Sequence, residues 1–219
     1  MPKQRRGLVE KEVDIDSFSA YLPGILTIPR GATSVVVFAH GSGSSRLSPR
    51  NAMVARALHE ADIGTLLFDL LTEDEDTVYD NRFNIDLLAE RLVGAAEWLE
   101  RRKEITNPKL AFFGASTGAA AALQASVRIP EVRAIVSRGG RPDLAWDYLG
   151  EVTAPTLLVV GGEDAEVIEL NRRAFERLTL SGEKKRLTIV PGATHLFEEP
   201  GALETVARAA TAWFKRFLL

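Results

Sequence analysis

"FFGASTG", Phe112–Gly118, decides how the rest of the chain is read. A strand-like run, Lys109–Phe113, breaks at Gly114-Ala115-Ser116-Thr117-Gly118, and the alanine-rich Gly118–Val127 that follows has helical composition. Strand, tight turn and helix form the setting in which G-x-S-x-G holds a serine hydroxyl on a sharp bend above a sheet. Glycines flank the serine because side chains there would strike the neighbouring strand or helix. The helix also aims its first amides at the bend, which favours negative charge nearby. The competing reading is a small-residue turn, for which Gly, Ala, Ser and Thr are equally suited. The residues that accompany Ser116 decide between them.

Working outward, Ser34–Ala39 (SVVVFA) is a β-branched run of the kind a strand buried on both faces needs. It ends in His40-Gly41-Ser42-Gly43-Ser44-Ser45, a flexible loop. After it the pattern alternates: helix Pro49–Glu60, strand Thr65–Asp69, an acidic loop, helix Ile85–Arg102, strand Lys109–Phe113, helix Gly118–Val127 and strand Val132–Ser137. A helix around Leu144–Leu149, strand Thr156–Val160, helix Val167–Leu178, strand Arg186–Val190 and helix Glu204–Phe217 complete it. Strands separated by helix-length segments imply βαβ crossovers, hence a mostly parallel, twisted sheet with helices on both faces. Ahead of them, Leu8–Ile15 and Gly24–Ile28 read as an antiparallel hairpin turning at Tyr21-Leu22-Pro23-Gly24. The class is α/β, and residues 1–219 read as a single domain. No segment is long enough for a large cap, so a site on the sheet edge opens to solvent.

The 219 residues are 46% hydrophobic and 26% charged, an ordinary globular balance. A net charge of −3 gives no field to draw nucleic acid or a membrane surface. The basic cluster Lys3, Arg5 and Arg6 reads as a solvated tail. With no cysteine, disulfides, thiolate nucleophiles and thiolate zinc sites are excluded. No signal-peptide core and no membrane-length apolar run is present, so the expected location is cytoplasmic.

A serine hydroxyl attacks only when a base takes its proton and a carboxylate orients that base. There are three histidines. His59 lies near a helix end and reads as a surface or dipole-facing residue. His40 and His195 both end strands on the edge where reactive groups gather in α/β sheets. His195 suits the base, since it follows both the serine and a carboxylate pair, Glu163 and Asp164, at another strand end; the order Ser, Asp, His accompanies this motif. For the oxyanion, the Thr117 amide follows the nucleophile, and the His40–Gly43 loop offers a second donor, with Ser42 the choice. A phosphate cradle is the rival for that loop, but "GSGSSR" lacks a Walker lysine and the G-x-G-x-x-G spacing.

These stretches, "VVVFAHGSGSS", "FFGASTG", "LLVVGGED" and "VPGATHLFEEP", resemble the α/β-hydrolase superfamily, and within it the dienelactone-hydrolase-like group, over essentially the whole chain. The resemblance implies Ser116 as nucleophile, Asp164 in preference to Glu163 as acid, His195 as base, and the Ser42 and Thr117 amides as oxyanion hole. Dienelactone hydrolases proper carry cysteine in the elbow, so serine here moves the expectation to a carboxylesterase acting on small esters. Thioester hydrolysis or acyl transfer by the same triad is the alternative, and a non-catalytic binding protein on the same fold a third. Arg138 and Arg141, in "SRGGRPDL", are candidates to meet an anionic substrate group; the plainer alternative makes them solvated charges or partners of Asp143 and Glu163. No cofactor and no metal is expected, and the expected partner is a small-molecule ester, bound by a monomer or homodimer.

Overall fold

The computed structural model describes residues 7–18 and 20–219, so the Lys3, Arg5 and Arg6 cluster lies outside the described residues. Strands β1 (Leu8–Ser17) and β2 (Ala20–Pro29) pair antiparallel from Leu8↔Pro29 to Ser17↔Ala20. Then follow β3 (Ser34–Ala39), α1 (Pro49–His59), β4 (Gly64–Phe68), α2 (Glu73–Asp76), α3 (Ile85–Glu100), β5 (Lys109–Ala115), α4 (Thr117–Arg128) and β6 (Ile135–Arg138). The chain ends with β7 (Thr156–Gly161), α5 (Ala165–Arg177), β8 (Lys185–Val190) and α6 (Ala202–Leu218). Among the described residues eight strands form one sheet in the order β1-β2-β4-β3-β5-β6-β7-β8; β2 is antiparallel to β4, and the pairs from β4 to β8 are parallel.

The parallel strands read as continuous apolar runs because both faces of the sheet are covered. Val35, Val37, Phe112, Ile135 and Leu158 point into a core closed by α3, α4 and α5, whereas Val36, Phe38, Phe113, Val136 and Val159 point into one closed by α1 and α6. Phe38 and Phe113, neighbours in register on β3 and β5, stack with centroids 4.8 Å apart.

Three readings of the sequence are corrected. Tyr21–Gly24 is not the hairpin turn; it lies inside β2, with Pro23 opposite Asp14 and Gly24 opposite Val13, and the chain reverses between Ser17 and Ala20. Pro23 lacks an amide for the ladder, but its carbonyl accepts the Asp69 amide at 3.0 Å. Gly24 is needed there for close approach: a Cβ would stand 3.0 Å from Ile15 Cδ1 and 3.2 Å from Phe68 Cβ. The acidic stretch Asp69–Asp76 is not wholly loop, because Thr72 and Glu75 close a reciprocal cap that nucleates α2. The segment around Leu144–Leu149 is a 3-10 helix over Pro142–Glu151 broken at Ala145, within the connection from β6 to β7. Among the described residues no helix is long and apolar enough to cross a membrane.

Strand order reverses around β3, whose neighbours β4 and β5 lead to opposite sides of the sheet. In open α/β sheets a crevice forms outside the carboxyl ends of strands at such a point. Here those ends carry the His40–Ser42 loop and Ser116.

Candidate active site

Ser116 follows β5 directly and caps α4 with φ 51 and ψ −119, a conformation side chains rarely adopt. Hydrogen bonds hold this backbone on both sides: its amide donates to the Arg138 carbonyl at 3.2 Å, and its carbonyl accepts from the Ala119 and Arg141 amides, each at 3.1 Å. The flanking glycines are required by contact. A Cβ on Gly114 would stand 2.4 Å from Ala119 Cα, and one on Gly118 would stand 2.2 Å from the Ala39 carbonyl oxygen. The turn is thus the sharp bend that the motif implies, and it leaves the Ser116 side chain half-buried at the crevice.

Asp164 and His195 meet across two neighbouring strand ends. The loop after β8 crosses the loop after β7 so closely that a Cβ on Gly161 would lie 2.4 Å from the Ala193 carbonyl oxygen. The Gly162 and Glu163 amides donate to the Val190 and Ala193 carbonyls at 2.8 and 3.0 Å, fastening the two loops together. Asp164 then divides its carboxylate: Oδ1 accepts the Val167 amide as N-cap of α5, and Oδ2 lies 2.7 Å from His195 Nδ1. A proton on Nδ1 makes that bond, which leaves the Nε2 lone pair free to accept a proton. Glu163, the rival carboxylate, contributes its backbone to the loop contact. Gly139, two residues from Arg141, places its α-carbon against His195: a Cβ there would be 3.1 Å from the His195 carbonyl oxygen and 3.5 Å from Cε1. The Ser116 hydroxyl itself has no hydrogen-bond partner among the described residues. A nucleophile–base bond of this kind commonly closes only in the Michaelis complex.

The candidate oxyanion donors are also brought together. A Cβ on Gly41 would lie 3.1 Å from Ser116 Cβ, and the Ser42 amide donates to Thr117 Oγ1 at 3.0 Å. Arg46 pins this loop: its amide reaches Asp69 Oδ1 at 2.6 Å, and its guanidinium pairs with Asp69 Oδ2. His40 has a structural part. Its Nε2 accepts the Leu70 amide at 3.0 Å and its Nδ1 lies 3.0 Å from the Gly41 carbonyl, an arrangement that fits the neutral ring. Burial, the largest influence, holds the His40 pKa below its ordinary value despite the Gly41 carbonyl and the Asp69 and Asp76 charges. His59, read as a surface histidine, is half-buried with Nε2 2.7 Å from Thr65 Oγ1.

The two arginines of "SRGGRPDL" separate. Arg141 is held by Asp143, Nε to Oδ1 at 2.9 Å and Nη2 to Oδ2 at 2.7 Å, which is the plainer of its two readings. Arg138 is buried and meets neither Asp143 nor Glu163; its nearest polar partner is Asn51 Oδ1 at 3.4 Å. Sequence reading missed Asn51 and Arg50 beside it, since nothing in "SPRN" shows that the first turn of α1 lies over the end of β6. A shallow cleft bordered by His40–Gly43, Leu70, Asp76 and Thr117 adjoins the candidate donors. A groove of about 810 Å³ runs elsewhere, between β1–β2 and α1, and none of Ser116, Asp164 or His195 lines it. Among the described residues no group of three or more His, Asp or Glu is placed to hold a metal ion.

Compared with known families, the chain matches the dienelactone hydrolase family over residues 32–218. The chain belongs to that family. A crystallised dienelactone hydrolase from Anabaena variabilis ATCC 29413 is 51% identical, with a TM-score of 0.92, and the match covers 98% of this chain and all (100%) of that one. An esterase of Pyrococcus furiosus matches at TM-score 0.80 over 97% of this chain and 92% of its own, at 18% identity, a likeness of fold. A Mycobacterium tuberculosis (strain H37Rv) protein provisionally named a phosphoribosyl transferase is 53% identical over 209 residues, 94% of this chain and 46% of that protein. The chain therefore spans about half the length of these curated relatives. Family and neighbours together support a hydrolase.

Proposed function

We propose that this family member is a serine hydrolase that cleaves small carboxylic esters through an acyl-enzyme. The observation that carries the reading is the 2.7 Å bond between Asp164 Oδ2 and His195 Nδ1 at strand ends beside a serine held at positive φ. With Nδ1–H committed to Asp164, His195 Nε2 takes the proton of Ser116 Oγ as that oxygen attacks the ester carbonyl. The C=O π electrons move to oxygen, and the oxyanion collects hydrogen bonds from the Thr117 and Ser42 amides. The Ser42 amide exchanges its neutral bond to Thr117 Oγ1 for a charge-assisted one, so the hole is strongest when charge develops. Collapse expels the alkoxide, which takes the proton from Nε2 and leaves as alcohol. Water then repeats the sequence on the acyl-enzyme, losing its proton to His195, and releases the acid.

The excursion after β6 carries a ten-residue 3-10 segment rather than a large cap, which favours short, soluble acyl groups. The transferase name belongs to a protein about twice as long, and the triad-like geometry in the shared half favours hydrolysis. The test is a p-nitrophenyl ester series of rising acyl length, run with wild type and Ser116→Ala. Turnover should be highest for the shortest acyl groups and fall as the chain lengthens, and Ser116→Ala should lose at least about a thousandfold in kcat. Retention of wild-type turnover by Ser116→Ala overturns the mechanism.

A further inference from the structure

Arg138, the last residue of β6, is 7% exposed. Its Nη2 makes a long contact to Asn51 Oδ1 at 3.4 Å, while Nε and Nη1 are buried with no partner among the described residues. A second guanidinium approaches it: Arg50, in the first turn of α1, has Nε buried and without a partner among the described residues, and its Nη1 reaches Glu198 Oε1 at 3.1 Å. Burial first, then the Arg50 charge, pushes the Arg138 pKa down to about 10, so the group remains a cation at neutral pH. Buried cations are ordinarily paired, and a guanidinium presents its N–H groups in a fork that matches an oxyanion. The N-terminus of α1 adds the positive end of an eleven-residue helix.

We propose that Arg138, Arg50 and the first turn of α1 form a binding site for a small oxyanion, a carboxylate or phosphate group, next to the catalytic edge. Four buried or partly satisfied donor positions, Arg138 Nε, Nη1 and Nη2 with Arg50 Nε, belong to two guanidiniums close enough to feel each other's charge, and among the described residues Arg138 meets no carboxylate. Glu198 neutralises only the outer side of Arg50. The site touches the reaction centre through the backbone: the Arg138 carbonyl accepts the Ser116 amide, and the next residue, Gly139, packs against His195. An anionic group on an ester, or a free phosphate, supplies the same chemistry. The first source rests on the hydrolase reading, the second does not.

Thermal unfolding of the full chain at constant ionic strength, with sodium chloride replaced stepwise by sodium phosphate or sodium acetate, tests the site. Wild type and Ser116→Ala should both gain unfolding temperature with phosphate, and Arg138→Met should not; Arg138→Lys should keep part of the gain. If Arg138→Met does not fold, Arg50→Met serves in its place. No phosphate-dependent shift in wild type, or an equal shift in Arg138→Met, overturns the proposal. Because Ser116→Ala is included, the readout survives failure of the serine mechanism. A second arm separates the sources by comparing p-nitrophenyl hemisuccinate with p-nitrophenyl butyrate. If the substrate fills the site, phosphate competes with the hemisuccinate, and Arg138→Met raises its KM about tenfold or more without moving that of the butyrate. If phosphate shifts the unfolding temperature and leaves both KM values alone, the ligand is a free anion, and the site stands.

Discussion

Ser116 stands at φ 51 and ψ −119 because the chain must leave β5 and enter α4 within one residue. A side chain in such a region costs on the order of 1–3 kcal/mol, held in place by the bonds to Arg138, Ala119 and Arg141. Glycine adopts it freely, so Ser116→Gly should be more stable than Ser116→Ala by about 1 kcal/mol, with both inactive, as measured by urea unfolding. An Ala variant as stable as the Gly variant means the backbone is unstrained. At this scale the sequence was readable where residue type and local pattern coincide. G-x-S-x-G between a strand and a helix made Ser116 a candidate, later strand ends offered His195 and the pair Glu163 and Asp164, and the family resemblance preferred Asp164. What a residue meets across the fold was not readable. Arg138 and Arg141 look alike in "SRGGRPDL", yet one is buried against α1 and the other is clasped by Asp143 two residues away.

Between elements, the connections around the crevice are tied to one another. His40, at the end of β3, accepts the Leu70 amide beyond β4, and Asp69 holds Arg46 in the loop before α1. His40 is held neutral by burial, so its folded pKa lies below the ordinary value of 6.5. The unfolded chain then binds more protons than the folded one as pH falls below that value. His40's contribution is complete above about pH 6.5 and is lost as pH falls toward the folded value. Thermal unfolding between pH 7.5 and 5.5 should show wild type losing stability, with a shallower loss in His40→Gln. Equal slopes contradict a buried neutral His40. Most elements followed from period and composition, since strands covered on both faces must be apolar throughout. Pro23-Gly24 misled for a physical reason: the pair that usually marks a turn here suits a strand whose neighbours press close and whose proline carbonyl still finds the Asp69 amide. The acidic stretch hid α2 behind its charge, although the Thr72–Glu75 cap is local; the Arg91–Glu75 pair that also holds it comes from α3, which the stretch itself does not show.

Across the whole molecule, the strand order places the ends of β3 and β5 at the switch of the sheet, and the paired loops after β7 and β8 bring Asp164 and His195 to the same edge. The dienelactone hydrolase family and an esterase of like fold share this frame, and Ser116 in its elbow is the candidate nucleophile. The central claim is that Ser116 is a nucleophile activated by His195. Peptide mass spectrometry after treatment with a fluorophosphonate reads it directly. The account predicts one phosphonyl adduct, on the peptide containing Ser116, absent in Ser116→Ala and formed far more slowly in His195→Ala. An unmodified Ser116 in wild type, or labelling of His195→Ala at the wild-type rate, contradicts it.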